Sequence, residues 1–218
     1  MNTLLHALRN TTEQCDYPYR HWLVESPLDD DTLTEMVKTA IPDVPRAYDG
    51  TRAADNGGGG LDGKLRCYIG RDNILQFPAI RNLINELMSP ETLDWFEANL
   101  GRDLNDAYLR VEVIADRKGF WLKPHTDIKE KLMSMLIYAN PYNESENLGT
   151  DIYDDNRQLV KTVPYRNNLG YLFAPGDNTW HGLEKKEIQK ERRSMLINYV
   201  TFKTDWKLPS RRQMRRAA

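Results

Sequence analysis

The chain has 218 residues, of which 40% are hydrophobic and 28% are charged, and its formal net charge is −2. This composition excludes a mostly disordered chain, a collagen-like repeat and a coiled coil. No stretch approaches the roughly 20 apolar residues that a membrane-spanning helix needs, so no membrane partner is expected. The length lies near the top of the single-domain range, which predicts one domain over residues 1–218.

Positive charge is concentrated at the C-terminus, where residues 201–218 carry six basic residues and one acidic residue. We interpret the basic tail, residues 204–218, as a solvated end of the chain. The alternative is a nucleic-acid-binding arm. No aromatic residue interleaves with the basic ones after Trp206, so a nucleic-acid partner is not expected.

Two isolated cysteines, Cys15 and Cys67, are too few for a disulfide framework or a zinc knuckle, which favours a reducing compartment. Residues 1–14 lack the apolar core and the cleavage site of a secretory signal. We therefore expect a cytoplasmic protein, and a transit peptide is the weaker alternative.

Residues 1–105 are expected to form a mainly helical segment that braces a sheet. One helix is predicted between the acidic residues 29–31 and Pro42, from apolar residues at helical spacing. A second apolar stripe runs from Ile80 to Met88. A third helix is capped by Ser89 and ends at Gly101.

Four consecutive glycines, residues 57–60, lie within a segment that has few side chains to pack. We interpret residues 47–64 as a loop. It is either a connector between two elements or a lid over an active site, because loops of this length in compact domains are often functional.

After residue 105 the period of the apolar residues changes from 3.6 to 2, which predicts a β core over residues 106–203. Short runs rich in aromatic or β-branched residues alternate with turn residues, as is typical of an antiparallel sandwich or barrel. The runs are 108–114, 119–123, 133–138, 151–153, 171–173 and 193–202. Helices followed by strands indicate an α+β fold.

Two of the four histidines, His125 and His181, lie at the ends of predicted strands. Asp127 follows His125 by two residues, so in an extended segment the two side chains project to the same side, about 6–7 Å apart. Two imidazoles and one carboxylate leave positions open on a metal ion, as in non-haem Fe(II) oxygenases. A His-x-Asp pair alone is a weak motif, because many such pairs are structural.

A second pattern, Arg192-Arg193-Ser194, leads into an apolar strand. An arginine buried there requires a carboxylate partner, and the planar guanidinium binds a carboxylate bidentately. Arg192 and Arg193 point to opposite faces of the strand, so only one can reach a ligand. Ser194 shares the face of Arg192, which favours Arg192, whereas an inward-facing Tyr199 would select Arg193.

The combined pattern resembles the 2-oxoglutarate- and Fe(II)-dependent dioxygenases, in the branch that includes prolyl-4-hydroxylase-like enzymes. The matching segments, in the order and spacing of the family, are His125-Thr126-Asp127, Thr179-Trp180-His181-Gly182 and Arg192-Arg193-Ser194. Residues 136–141 are similar to a family strand whose tyrosine helps to bind the cosubstrate, and residues 148–153 to a glycine-containing turn. The motifs lie within residues 108–202.

The resemblance implies a double-stranded β-helix, or jelly roll, with the N-terminal helices packed on its major sheet. It also implies Fe(II), 2-oxoglutarate and O2 as cofactor and cosubstrates. The implied Fe(II) ligands are His125, Asp127 and His181, and the implied ligands of the distal 2-oxoglutarate carboxylate are Arg192, Tyr138 and Ser194. Halogenating members of the family lack the metal carboxylate, so Asp127 favours hydroxylation.

Four residues are candidates for contact with the substrate. Arg110, Trp121 and Lys123 lie on predicted strands that lead to the metal ligands, and Trp180 adjoins His181. Each also has a plain structural explanation, as a core aromatic residue or a solvated strand position. If Arg110 or Lys123 faces the pocket, the substrate is expected to be anionic or zwitterionic.

The leading hypothesis is a hydroxylase of a small molecule. A hydroxylase of a protein residue, of the prolyl type, shares all of the chemistry. A metal-binding jelly-roll module without catalysis is the alternative from another class. A zinc hydrolase is disfavoured because no Glu or Asp is positioned as a general base. The sequence does not indicate the oligomeric state.

Overall fold

The computed structural model describes residues 3–41, 50 and 65–210. Two antiparallel sheets face each other, and helices cover the outer face of the larger sheet. The helices are α1 (Thr3–Asn10), α2 (Asp30–Lys38), α3 (Pro78–Leu87) and α4 (Pro90–Leu100). The strands are β1 (Thr12–Cys15), β2 (His21–Glu25), β3 (Arg66–Tyr68), β4 (Tyr108–Arg117), β5 (Leu122–His125), β6 (Lys131–Ala139), β7 (Asp151–Tyr153), β8 (Leu159–Thr162), β9 (Leu169–Phe173), β10 (His181–Leu183), β11 (Glu191–Val200) and β12 (Trp206–Lys207).

The larger sheet has eight strands, in the order β1-β2-β9-β6-β11-β4-β12, with β3 also paired to β4. The smaller sheet has the order β5-β10-β7-β8. Apart from β1–β2, β3–β4 and β7–β8, neighbouring strands are not consecutive in sequence, and the two sheets are not closed into a barrel. This is the predicted α+β architecture, a jelly roll with helices on its major sheet.

Side chains alternate between the two faces of the long strands, so the larger sheet contributes to two separate hydrophobic clusters. On β4, Leu109 and Val111 pack with the helices in one cluster, whereas Arg110 and Glu112 point to the space between the sheets. Phe173 and Tyr171 on β9 belong to the second cluster, between the sheets. Because side chains alternate across a strand, each long strand holds the helices on one face and lines a cavity with the other.

The three predicted helices are present. Asp29 caps α2 by accepting a hydrogen bond from the backbone N–H of Thr32 at 2.7 Å. Ser89 caps α4 in the same way, and Gly101 ends α4 with a φ of 65°, in the left-handed region. Pro78 occupies the first turn of α3.

In the described part of residues 1–105, the four helices are accompanied by three short strands that the sequence pattern does not predict. β1, β2 and β3 lie in this segment and extend the larger sheet on both sides of its centre. They have 4, 5 and 3 residues, so they are too short to show an apolar period of 2. β2 pairs with β9, β1 pairs with β2, and β3 pairs with β4. The sequence pattern also does not predict α1 or the strands β8, β10 and β12.

Two predictions fall outside the described residues. The glycine run at 57–60 is one, and residues 211–218 of the basic tail are the other. Within the described part of the chain, no helix has the length and apolar character needed to span a bilayer.

Gly149 leads into the smaller sheet, just before β7. A Cβ added there would lie 1.5 Å from the carbonyl oxygen of Val163, which is backbone and cannot move aside. We therefore expect Gly149→Ala to lower the free energy of unfolding by about 3 kcal/mol or more. Chemical denaturation measures this loss.

Gly101→Ala is the control. Its φ of 65° is unfavourable for alanine, whereas the φ of Gly149, −73°, is not, and no atom lies within 4 Å of a Cβ added at 101. The expected cost at 101 is about 1 kcal/mol. A loss at 149 no larger than the loss at 101 would show that the close approach of Val163 does not explain the glycine at 149.

Candidate active site

His125 and His181 come together through strand pairing. They are directly opposite each other in the antiparallel pair β5–β10, and their ring centroids are 4.4 Å apart. Asp127 lies just beyond β5. One potential ligand atom from each of the three side chains lies within 4.8 Å of the others. This spacing suits three ligands of a single metal ion.

Backbone carbonyl groups orient both imidazoles. Nδ1 of His125 lies 3.0 Å from the carbonyl oxygen of Lys123, and Nδ1 of His181 lies 2.9 Å from that of Thr179. Since a carbonyl oxygen only accepts, Nδ1 carries the proton in each ring and Nε2 presents a lone pair. Metal-ligating histidines are commonly held in this way.

The carboxylate of Asp127 receives a donor on each oxygen. Nζ of Lys131 lies 2.6 Å from Oδ1, and the hydroxyl of Ser134 donates to Oδ2 at 2.6 Å. Burial alone would raise the pKa of Asp127, but Lys131, His181 and the hydrogen bonds hold it well below its usual range. Asp127 is therefore an anion available to a cation.

The two histidines are neutral near pH 7. Burial, together with the neighbouring imidazole of His181, lowers the pKa of His125 to about 4. Burial also lowers the pKa of His181. Neutral imidazoles and an ionised carboxylate form a donor set that divalent iron accepts, so the residues present fit the metal that the resemblance implies.

A cavity of about 490 Å³ opens beside this triad, between the two sheets. This volume lies within the range of roughly 300–1,000 Å³ that is usual for small-molecule sites. The inward faces of β4, β6, β9 and β11 line one wall, and the triad lies on the other. Strand register orders the wall in rows that run across the sheet.

Arg192 and Ser194 lie toward one end of the cavity. The guanidinium of Arg192 is buried, donates from Nε to the carbonyl oxygen of Leu148 at 2.5 Å and pairs through Nη1 with Asp116 at 2.6 Å. Asp116 is thus the carboxylate that a buried arginine requires, and it comes from the neighbouring strand. The hydroxyl of Ser194 is buried without a hydrogen-bond partner among the residues that the structure describes.

The Ser194 hydroxyl is placed to form a hydrogen bond with a ligand in the cavity. A buried hydroxyl without a partner is costly unless a ligand supplies one. An arginine and such a hydroxyl on the same cavity wall suit the distal carboxylate of a diacid. The residues at this end of the cavity therefore fit 2-oxoglutarate.

Arg193 does not reach the cavity. Its guanidinium lies on the opposite face of β11, where it binds Glu191 and the carbonyl oxygen of Thr39. Tyr199 shares that face and donates its hydroxyl to the carbonyl oxygen of Leu87 in α3. The face of β11 that points to the cavity is therefore the face of Arg192, and not the face of Arg193 and Tyr199.

Tyr138 lies behind the cavity wall. Its ring lies beside the guanidinium of Arg192, with 5.3 Å from Cζ to the ring centroid. Its hydroxyl is shared with Thr150, at 2.6 Å from the side chain and 3.0 Å from the backbone N–H. Thr150, and not Tyr138, lines the cavity.

Of the four substrate candidates, only Arg110 lies on the cavity wall. Trp121 contacts Lys185, and Trp180 lies under the guanidinium of Arg157. Lys123 is exposed. These three alternate with residues that do face inward, such as Leu122 and His181, so their side chains point the other way.

Several polar residues of the site are not predicted from the sequence. Lys131 and Ser134 hold Asp127, while Arg66 and Glu112 lie on the wall near Arg110. The one available signal is the position of Ser134 and Glu112, polar residues within otherwise apolar strands. No motif marks these residues.

Comparisons with known proteins bear on the fold. No protein-family model matches the chain, and no curated protein matches its sequence. A solved prolyl hydroxylase from Trichoplax adhaerens, in complex with a hypoxia inducible factor oxygen degradation domain peptide, has a TM-score of 0.58 at 16% identity. The match covers 92% of this chain and 88% of that one.

Two further structures share the fold. An oxidoreductase of the 2OG-Fe(II) oxygenase family from Burkholderia pseudomallei has a TM-score of 0.53 at 13% identity and covers 92% and 91% of the two chains. A prolyl 4-hydroxylase from Phytophthora capsici has a TM-score of 0.56 at 14% identity, over 85% of this chain but 60% of that one. The structural neighbours are thus 2OG-Fe(II) oxygenases and prolyl hydroxylases, and the chain has their fold.

The pair formed by Arg192 and Asp116 supports the site. Both side chains are at least 95% buried, so Asp116→Asn would leave a buried cation without its counter-charge. We expect the free energy of unfolding to fall by about 3–5 kcal/mol. Lys207→Ala breaks an exposed pair with Asp106 and should cost less than about 1 kcal/mol. Equal losses in urea denaturation would show that Asp116 stabilises Arg192 no more than an exposed pair does.

Proposed function

We propose that this protein is a 2-oxoglutarate- and Fe(II)-dependent dioxygenase that couples oxidative decarboxylation of 2-oxoglutarate to hydroxylation of a small molecule. One observation carries the proposal. The triad of His125, Asp127 and His181 lies on the same cavity as Arg192 and the unpartnered hydroxyl of Ser194. A metal site and a diacid site on one cavity are what the chemistry requires.

The proposed metal ligands are the Nε2 atoms of His125 and His181 and one oxygen of Asp127. When bound, Fe(II) would supply the redox chemistry with O2 that no side chain can perform. Thr179 and Lys123 keep both imidazoles in the tautomer that binds metal. The hydroxyl of Ser134 holds Oδ2 of Asp127, and the ammonium group of Lys131 contacts Oδ1, so a cation that bound Oδ1 would compete with Lys131.

The proposed cosubstrate ligands are Arg192 and Ser194. Asp116 and the carbonyl oxygen of Leu148 hold Nη1 and Nε of the guanidinium, so Nη2, on the side of Tyr138, is the group proposed to bind the distal carboxylate. Ser194 adds a hydroxyl donor on the same face of β11. Thr150 closes this end of the cavity, and Tyr138 orients Thr150 and Arg192 from behind.

A prolyl-type hydroxylase of a protein residue is the second candidate. The neighbour from Trichoplax adhaerens is a prolyl hydroxylase in complex with a peptide, which favours this candidate. The cavity itself, about 490 Å³ in volume, favours a small molecule. A metal-binding module without catalysis is distinguished by metal uptake without oxygen-dependent formation of succinate.

A spectral titration tests the proposed metal centre. Anaerobic addition of Fe(II) and then 2-oxoglutarate should produce a weak charge-transfer band in the visible range. His125→Ala and Asp127→Ala should abolish the band, because each removes one of three ligands. His6→Ala, which removes an exposed histidine outside the site, should leave it intact. A band that survives in either ligand variant would contradict the assignment.

The diacid site is tested with Ser194→Ala. Because the Ser194 hydroxyl is buried without a partner among the described residues, its removal should not lower the free energy of unfolding of the chain without 2-oxoglutarate. The affinity for 2-oxoglutarate, measured by calorimetry with metal bound, should fall about fivefold or more.

Arg192→Lys is a second variant of the diacid site. It retains a cation beside Asp116 but loses the planar guanidinium, so the affinity for 2-oxoglutarate should fall by at least about tenfold. Unchanged affinities would rule out this end of the cavity as the diacid site.

Removal of the Lys131 ammonium group should raise the affinity for metal, whereas removal of a metal ligand should lower it. Its ammonium group contacts Oδ1 of Asp127 at 2.6 Å and repels a cation bound to the triad. Lys131→Met should therefore increase the affinity for Fe(II) or Mn(II) several-fold, whereas Ser134→Ala should decrease it. Metal titration by calorimetry measures both. A lower affinity in Lys131→Met would indicate that Lys131 positions the carboxylate instead of competing for it.

A further inference from the structure

The cavity has a second cationic side chain, Arg110, beside the triad. Arg110 on β4 is opposite Asn198 on β11, and Asn198 is opposite Ser134 on β6. Two strand spacings of about 4.8 Å place the Cα atoms of Arg110 and Ser134 about 10 Å apart. Since Ser134 holds Asp127, Arg110 lies in the row of the sheet nearest to this metal-ligand carboxylate.

Arg110 and Arg192 lie at opposite ends of the cavity wall. Arg192 is six residues along β11 from Asn198, which corresponds to about 20 Å between their Cα atoms. Both arginines line the same cavity. A diacid held at Arg192 therefore does not use Arg110, and the second guanidinium is available to another ligand.

The guanidinium of Arg110 is held in one orientation. Its Nε lies 2.5 Å from Oε1 of Glu112, and its Nη2 donates to the hydroxyl of Tyr68 at 2.7 Å. The rings of Tyr68 and Phe202 flank it, with 5.0 and 6.0 Å from Cζ to their centroids. The side chain is 19% exposed, so it is packed but accessible.

Glu112 does not neutralise Arg110 fully. Its other oxygen, Oε2, lies 2.5 Å from Nη1 of Arg66, so one carboxylate is divided between two guanidinium groups. The contacts of Arg110 occupy the edge formed by Nε and Nη2. Within the described residues Nη1 has no hydrogen-bond partner, so the edge formed by Nη1 and the second N–H of Nη2 remains for a bidentate partner.

We propose that Arg110 binds a carboxylate group of the substrate, so that the substrate is a small carboxylic acid. The inference rests on the proposed function, because it assigns the substrate end of that cavity. Glu112, Tyr68 and Phe202 act as positioning residues that fix the guanidinium before the ligand arrives. An acid anchored here would place its carbon chain toward the triad, because Ser134, in the same row of the sheet as Arg110, holds the carboxylate of Asp127.

A binding experiment with matched probes tests the proposal without knowledge of the natural substrate. The full chain is loaded with Zn(II), which is redox-inert, and saturated with 2-oxoglutarate so that the Arg192 end is filled. Ligand-observed NMR then compares phenylacetate with phenylacetamide, and N-acetyl-proline with N-acetyl-prolinamide. Each acid should bind at least about tenfold more tightly than its amide, because only the acid forms charge-assisted hydrogen bonds.

Arg110→Met should abolish the preference for acids while the affinity for 2-oxoglutarate is unchanged. Glu112 keeps Arg66 as a partner in this variant, so the fold should be retained. Arg110→Lys is a second variant that preserves the charge, and it should show an intermediate preference. Arg20→Met is the matched control, because Arg20 also lies over an aromatic ring, that of Trp22, but is exposed and outside the cavity. It should behave as the original chain.

Three results would overturn the proposal: equal binding of acid and amide, a preference for acids that survives in Arg110→Met, or loss of 2-oxoglutarate binding in Arg110→Met. The proposed function fails by a different readout. If the unmodified chain with metal does not bind 2-oxoglutarate in calorimetry, the dioxygenase assignment is wrong, whatever the preference between acids and amides.

Discussion

The register between β5 and β10 is the constraint that creates the candidate site. It places His125 directly opposite His181, in a sheet of only four short strands. A shift of one residue would turn one imidazole to the other face and separate the two rings. Gly182 helps to fix this register, because a Cβ there would lie 2.6 Å from the carbonyl oxygen of Leu122. The close approach of backbone to backbone thus holds the two imidazoles together.

The larger sheet forms the opposite wall of the cavity, and its long strand pairs hold that wall in place. β4 and β11 pair over ten residues each, and the helices cover their outer face. The inner face can therefore hold charged side chains, Arg192 with Asp116 and Arg110 with Glu112, because each buried cation meets a carboxylate on the sheet. Pairing of this kind limits the cost of desolvation and fixes each guanidinium in one orientation. Arg192 and Arg110 thereby become preorganised ends of one cavity.

The sequence is informative where a local pattern carries the physics. The phase of Arg192 and Ser194 follows from alternation along β11, and the His-x-Asp spacing keeps Asp127, just beyond the end of β5, close to His125; the structure places these side chains on the cavity. Long-range pairing cannot be predicted in this way. Asp116 as the partner of Arg192 depends on the register of β4 against β11, which no single segment encodes.

The same limit explains the errors. Trp121, Lys123 and Trp180 are close in sequence to metal ligands, but an offset of one residue turns their side chains away from the cavity. β1 to β3 take up strand geometry only because the larger sheet offers them an edge. Lys131 reaches Asp127 across a turn whose geometry a single sequence does not give.

A crystal structure of the anaerobic complex with Fe(II) and 2-oxoglutarate, with the metal located by anomalous scattering, would decide whether the triad and Arg192 act together. We expect one ion bound by His125, Asp127 and His181, with the 2-oxoglutarate chain running from that ion to Arg192 and Ser194. An ion bound by other residues, or a diacid whose distal carboxylate lies at Arg110, would contradict the proposed dioxygenase site.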